Sequence, residues 1–416
     1  MYAVLWICAS ISAVSCLKSS LLTPDLEWKY FDYEWESESK RNTFVLNGDY
    51  DYKNNVPVDA DRSKDGRTFV TIKAGPGVPA TLNTVSKKVG PSGPLLYPYP
   101  DWSWHIKNDC NVITSVYHIA IDSCDRLWVL DSGKISGEYV CPAQLLAFNL
   151  RTDKLEFKKK IPPNAAEDRY GNGLLYNLIV ATDGRLCNST KVFMADARGY
   201  GLVVWDGLRF FRVEGKVFEP EEKYTRYSIA GEKFHLTDGV RAVALSPAMG
   251  MDDDERYLFF RPLASKSLYA ANSNDLAKVG NRKRMNYFGS IDILPSQASS
   301  LAFSSNGTLF YGLTKEIGIG CWNMHNPLTP NYLELVLIDK ERLQFISGLK
   351  LIHNSRFLAQ PQEELLILSN RLQKVYGSSL DYNEINFRIL RLSVKALING
   401  TNCDTIKPSK KEPAIA

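Results

Sequence analysis

Residues 126–131, "RLWVLD", run directly into Ser132-Gly133. Read one way, Asp131-Ser132-Gly133 is the catalytic loop of an aspartic protease. Read the other way, an apolar strand ends at a carboxylate and turns. Aspartic protease chemistry needs two carboxylates about 3 Å apart that share one proton, hence two copies of Asp-Ser/Thr-Gly. This chain carries one copy. Asp183-Gly184 and Asp238-Gly239 each follow a threonine but lack the hydroxyl residue between. A single-copy enzyme would have to act as a homodimer of a much shorter chain than 416 residues. The stretch therefore reads as a strand and its exit turn.

Its surroundings repeat. "VYHIAID" (116–122) precedes "RLWVLD", and "QLLAFNL" (144–150) and "LEFKKKI" (155–161) follow, giving four strands with tight connections. Four antiparallel strands meandering in one packet describe a propeller blade. The pattern recurs from "YNLIVAT" (176–182), "VRAVALS" (240–246), "SSLAFS" (299–304) and "FISGLKLI" (345–352). First strands thus return roughly every 50 to 65 residues, which leaves room for loop insertions. "RTFVTIKA" (67–74) and "ATLNTVSKK" (80–88) supply another unit, and "EWKYFDYEW" (27–35) is placed to close a ring from the N-terminal side. Two stacked β-sandwiches are the rival. The regular return of apolar strand, polar turn and aromatic-rich strand favours an all-β, six-bladed β-propeller with four-stranded antiparallel blades and a central channel.

Residues 1–16, "MYAVLWICASISAVSC", carry no charge and end in small residues, which reads as a secretory signal peptide. Residues 17–404 are expected to form one propeller domain, and 405–416 a disordered basic tail. After Cys16 no stretch approaches 18 apolar residues, so no membrane span is expected. Removing the leader leaves Cys110, Cys124, Cys141, Cys187, Cys321 and Cys403. An even count in an oxidising compartment suggests three disulfides, with about 15 pairings open. Sequons at Asn188, Asn306 and Asn399 fit a secreted glycoprotein.

The net charge is +4, from 50 basic and 46 acidic residues. That balance offers no basic stripe for nucleic acid. His105, His118, His235, His325 and His353 show no metal-ligand spacing, and the acidic run 252–255 lacks the alternation of a calcium loop. No nucleophile elbow or phosphate-cradling motif occurs, so neither metal nor cofactor is expected. Trp102, Trp104, Trp128, Trp205 and Trp322, with 21 tyrosines, are good strand residues. Some could also stack on a small aromatic or lipid-like ligand at the channel mouth.

Seven segments closely resemble the insect Yellow and major royal jelly proteins: "EWKYFDYEW", "GDYDYKNNVPVDADR" (48–62), "GPLLYPYPDWSW" (93–104), "IDSCDRLWVLDSG" (121–133), "DGVRAVALSP" (238–247), "GCWN" (320–323) and "NFRIL" (386–390). The resemblance covers residues 27 to 403 in family order. It implies a secreted six-bladed propeller and the disulfides Cys110–Cys141, Cys124–Cys187 and Cys321–Cys403. Roles implied by the resemblance are glandular, nutritive or pigmentation-related, with dopachrome conversion as the enzymatic alternative. Laid against amine-binding members, Tyr117 and Asn370 keep the tyrosine and asparagine of the channel, and Ser347 keeps a hydroxyl. Met194 replaces an aliphatic residue, while Arg241 and Leu372 replace phenylalanines. Losing two aromatic faces and adding a cation argues against serotonin or dopamine and for a neutral or anionic ligand. Strand alternation places His118 away from the channel if Tyr117 faces in, leaving no strong base in the lining.

Overall fold

Strands buried on both faces read as continuous apolar runs, and the second strand of the opening stretch is one: Arg126–Asp131 is buried from Leu127 onward. It lies between the innermost strand, Val116–Ile121, and the third, Gln144–Asn149, with Lys154–Lys160 outermost. That outer strand is lysine-rich and largely exposed, which discourages pairing with another chain's edge. In the computed structural model, which describes residues 19–183, 187, 189–249, 255–279, 285–354 and 362–404, six such four-stranded sheets form a β-propeller. The leader, the tail, Asn188 and Asp252–Asp254 lie outside the described residues.

The blades begin with innermost strands Pro57–Arg62, Val116–Ile121, Leu175–Asp183, Val240–Leu245, Ala298–Phe303 and Ile346–Asn354. These neighbour one another in chain order, and the sixth returns to the first. The last blade takes its outermost strand from the N-terminal side: Thr23–Trp28 pairs antiparallel with Phe387–Ser393. The closing strand therefore sits a few residues earlier than "EWKYFDYEW". Only Glu27 and Trp28 of that segment belong to it, and Tyr33 makes a single bridge to Leu96.

One irregularity repeats in all six blades. Each innermost strand shifts register near its start: Pro57/Asp59, Val116/Ile119, Leu175/Asn177, Val240/Ala242, Ala298/Leu301 and Ile346/Gly348. A bulge leaves backbone groups unpaired and re-aims side chains. In four seams a neighbouring blade's side chain donates to a carbonyl at or beside the shift. Thr71 reaches Tyr117 O (2.6 Å), Asn177 reaches Arg241 O (2.8 Å), Ser299 reaches Ile346 O (2.5 Å) and Asn370 reaches Pro57 O (2.8 Å).

Asp131 stitches such a strand entrance to its own blade. It is fully buried, and its carboxylate accepts from the backbone N–H of Thr114 (2.8 Å), Ser115 (2.8 Å) and Gly133 (3.0 Å) and from Gln144 Nε2 (3.0 Å). Gly133 has φ of 65°, and a Cβ there would lie 2.0 Å from Cys141 O. Only glycine lets Cys141 approach, and Cys141 is bonded to Cys110. Asp196 holds the equivalent place in the third blade, accepting from the N–H groups of Leu174, Arg198 and Gly199 and from Arg212.

The other disulfides join Cys124 to Cys187 and Cys321 to Cys403. Cys321–Cys403 closes 82 residues and ties the chain after the last helix, Val394–Ile398, to the fifth blade. Chain entropy assigns such a loop about 4.5 kcal/mol. The Cys321→Ala/Cys403→Ala pair is therefore expected to lower the free energy of unfolding by that order, with an earlier urea midpoint and a steeper transition slope, because the unfolded chain without the cross-link exposes more surface. An unchanged midpoint would remove the fastening role.

Candidate functional site

A cavity of about 950 Å³ lies within the ring. It is lined by innermost strands and their following turns, and reaches the end of the channel where those strands finish, at Arg62, Asp122 and His353. Ala120, Leu178, Val243, Leu301 and Leu349 give it apolar walls. Asp59, Asp61, His118, Ser300 and Lys350 supply polar groups.

The polar groups are built from the strand edges. The innermost strand of each blade has a free edge, and Asp59 and Asp61 substitute for the missing sheet partner of the second blade. Asp59 accepts from Ile119 N–H and Asp61 from Ile121 N–H, both at 3.1 Å. Lys350 crosses from the sixth blade, donating to Ile119 O (2.7 Å) and meeting Asp59 Oδ2 at 2.9 Å. His118 Nδ1 stands 3.2 Å from the same oxygen. Three donors thus converge on Asp59 Oδ2, while Asp59 Oδ1, His118 Nε2 and Ser300 Oγ are buried with no partner within the protein.

Charge follows from this packing. Burial pushes the Asp59 carboxyl up, but Lys350 and His118 together outweigh it and hold it at about 2. Burial pushes His118 below its ordinary value against the pull of Asp59, so at neutral pH it is an uncharged imidazole and Lys350 is the counter-ion. Asp61 goes the other way. Burial, opposed by Lys350 and reinforced by the Asp59 charge, raises it to about 6. An acid whose folded pKa exceeds its unfolded value, about 3.9, contributes stability at low pH that is lost as pH rises between the two. Asp61 should therefore cost up to about 3 kcal/mol, accumulated between about pH 4 and 6. Asp59 acts oppositely, its stabilisation fading only as pH falls from about 4 towards 2. Asp61→Asn is expected to flatten the fall in stability between pH 4 and 6. Urea midpoints across that range check this, and a wild-type slope retained in the variant would refute it.

Beyond the cavity, towards the end where the innermost strands begin, aromatic and charged groups close the channel. Tyr117 and Tyr176 lie 4.9 Å apart, centroid to centroid, and Tyr176 is equally close to the His118 ring. Arg241 packs 3.9 Å over Tyr176, contacts its hydroxyl, and pairs with Asp238 at 3.2 Å. Burial raises the Tyr176 hydroxyl to about 12 despite Arg241 beside it. Further out, Tyr227, Phe234 and Tyr376 stack in succession at 4.9 and 5.0 Å. They join the hairpin of Arg226–Ile229 and Glu232–His235 to the helix Leu372–Tyr376.

The six residues aligned with the amine-binding channel separate accordingly. Tyr117 and Arg241 form the closure. Asn370 uses its amide N–H in a blade seam, and the neighbouring Ser347 hydroxyl is buried without a partner. Leu372 packs on the core between the fifth and sixth blades. Met194 is fully buried between the second and third blades with Trp128, Leu145 and Trp205, so it does not face the channel. None of these six lines the cavity. Arg241 also differs from expectation electrostatically, because Asp238, which it shares with Arg198, offsets part of its charge. The five tryptophans pack in the core and likewise leave the cavity walls to other residues. His118 reverses its expected direction. The register shift between Val116 and Ile119 breaks the alternation, and both Tyr117 and His118 reach the channel region. In the sequence only the "VDADR" carboxylates (58–62) could have announced the cluster. Among the described residues no group of His, Cys, Asp or Glu is arranged to hold a metal, and no helix is long and apolar enough to cross a membrane.

Ring, closure and polar cavity define a six-bladed propeller whose channel is closed at one end and widens into a cavity that opens at the other. The chain belongs to the major royal jelly protein family, whose profile matches residues 114–403. It is 40% identical over 398 residues to major royal jelly protein 9 of Apis mellifera, covering 94% of this chain and 92% of that one. It is 39% identical to major royal jelly protein 6 and 38% identical to major royal jelly protein 1 of the same species, each over 91% of this chain and 86% and 88% of theirs. A solved streptogramin B lyase overlays 82% of this chain and 94% of its own with a TM-score of 0.41 and 9% identity, too distant to carry any chemistry across.

Proposed function

We propose that this is a secreted, non-enzymatic propeller protein that holds a small ligand in its central cavity, in a glandular, nutritive or cuticle-related setting. The cavity carries the reading: a preformed concave space within the ring, lined by apolar side chains together with fixed polar and charged groups, is a form that small-molecule sites take. Three disulfides favour an oxidising compartment. Asn306 and Asn399 stand exposed, as glycan acceptors must. The names of the relatives, royal jelly proteins, support a glandular or nutritive role.

One observation favours the enzymatic alternative, conversion of dopachrome: an imidazole, His118, is among the residues that line the cavity. Its depressed pKa makes it a weak base, and general bases work best with a pKa near the working pH. The test is expression of the full chain in insect cells. The protein is expected in the medium, with a small molecule retained in its native mass spectrum and no acceleration of dopachrome decay. Retention in the cell would overturn secretion. Dopachrome decay abolished by His118→Phe would replace the carrier reading with the enzymatic one.

A further inference from the structure

We infer that the closed end of the channel carries a binding site for a small oxyanion, formed on its solvent side by Arg198, Arg241 and Tyr376. The site is separate from the cavity, because none of these residues lines it. Asp238 receives two guanidinium groups: Arg198 Nε lies 2.8 Å from one of its oxygens and Arg241 Nη1 3.2 Å from the other. One buried carboxylate thus serves two cations and leaves a positive charge in surplus. Arg241 is almost buried, whereas the Arg198 side chain is 47% exposed and the rest of its guanidinium has no partner among the described residues. Tyr376 is half exposed, stacks on Phe234 at 5.0 Å and likewise has a hydroxyl without a partner among the described residues. Burial raises its pKa, and the charges acting on it are those of Arg241, Asp238 and Arg198, which groups the four side chains together.

The surrounding charges do not remove the surplus. Asp196 accepts from the Arg198 backbone N–H but is paired with Arg212 at 2.8 Å. Glu232 on the hairpin accepts from Ser379 Oγ at 2.6 Å and is followed by the exposed Lys233. At the helix, Arg371 and Lys374 both meet Glu384. Near Tyr227, Arg261 is opposed by Glu221. Burial holds the Tyr117 and Tyr176 hydroxyls in their neutral form. A ligand here therefore meets one unanswered positive charge, and a cation is repelled by it. The planar guanidinium fork fits the paired oxygens of a carboxylate or phosphate, and the Tyr376 hydroxyl adds a neutral donor.

Calorimetric titration of the full-length protein with benzoate and with inorganic phosphate, at constant ionic strength, tests this. Saturable binding of at least one is expected: benzoate alone would indicate an organic acid, and phosphate a phosphate ester or the free ion. Arg198→Gln should weaken that binding about tenfold, as loss of one charge-assisted hydrogen bond implies. Tyr376→Phe keeps the ring on Phe234, removes only the hydroxyl and should also weaken it. Lys64→Gln changes an exposed cation at the open end of the cavity and should leave it unchanged. The three substituted side chains are all at least 47% exposed, so the variants should fold, which their urea midpoints check. No saturable binding of either anion would overturn the site. So would binding that Arg198→Gln leaves untouched, or that Lys64→Gln weakens equally. The ligand reading of the cavity stands or falls separately, on the native mass spectrum.

Discussion

A chain beginning after Trp28 is expected to aggregate and to show no cooperative unfolding transition. The sixth blade then loses its outermost strand, and five backbone pairings from Thr23↔Arg391 to Trp28↔Phe387 disappear. The loss is larger than one strand. Trp28 is completely buried, packs 4.9 Å from Phe31 and donates to Pro94 O at 2.6 Å in the first blade. Removing a buried tryptophan side chain alone costs about 3–5 kcal/mol. Asp25 is the ionic clasp of the ring, paired with Arg391 of the sixth blade at 2.9 Å and with Arg62 of the first. Arg342 holds the entering chain through the carbonyls of Ser19 and Leu22. Together these losses are comparable to the 5–15 kcal/mol net stability of an ordinary domain. They also expose Phe387–Ser393 as an apolar edge open to pairing with other molecules. Light scattering and thermal denaturation of the truncated protein decide the matter. A soluble monomer melting within a few degrees of the full chain would show that the ring closes without this strand. Trp28→Ala gives a graded version: folded, but destabilised by about 3–5 kcal/mol.

Much of this architecture can be read from the residues, for a physical reason. Strands buried on both sides must be apolar throughout, and polar turns must separate them, so "RLWVLD", "VRAVALS" and their counterparts announce blades. The site is less legible because it depends on departures from that pattern. His118 faces the cavity through a bulge, and a register shift leaves no mark in strict alternation. Asp59 and Asp61 stand in "VPVDADR", where alternating carboxylates look like a solvated strand. Their partners, Ile119, Ile121 and Lys350, are about 60 to 290 positions away along the sequence, brought near only by ring closure. Met194 shows the opposite failure. Position in an aligned family segment suggested the channel, whereas its packing partners put it between blades.

Asp131 joins these two levels, and Asp131→Asn is expected to cost about 2–4 kcal/mol while leaving ligand affinity unchanged. Burial raises the Asp131 pKa in spite of Gln144 and three backbone donors, so charge as such is not what the site rewards. What matters is acceptor capacity. Both oxygens are in use: Oδ1 receives Ser115 and Gly133, and Oδ2 receives Thr114 and Gln144. An asparagine has one acceptor oxygen. Its amide nitrogen would face the Thr114 N–H or the Ser115 and Gly133 pair, donor against donor. Gln144 could turn its oxygen towards that nitrogen only by giving up its 2.8 Å bond to Val112 O. At least one buried N–H is left unmatched, at about 1–3 kcal/mol, beside the loss of a charge-assisted bond. The damage falls on the entrance of Val116–Ile121 and on the Gly133 approach that brings Cys141 to Cys110, away from the cavity walls. Urea denaturation paired with the native mass spectrum of the protein and any small molecule it retains separates the two effects. A variant as stable as wild type but unable to bind would return Asp131 to the functional role its Asp-Ser-Gly surroundings first suggested.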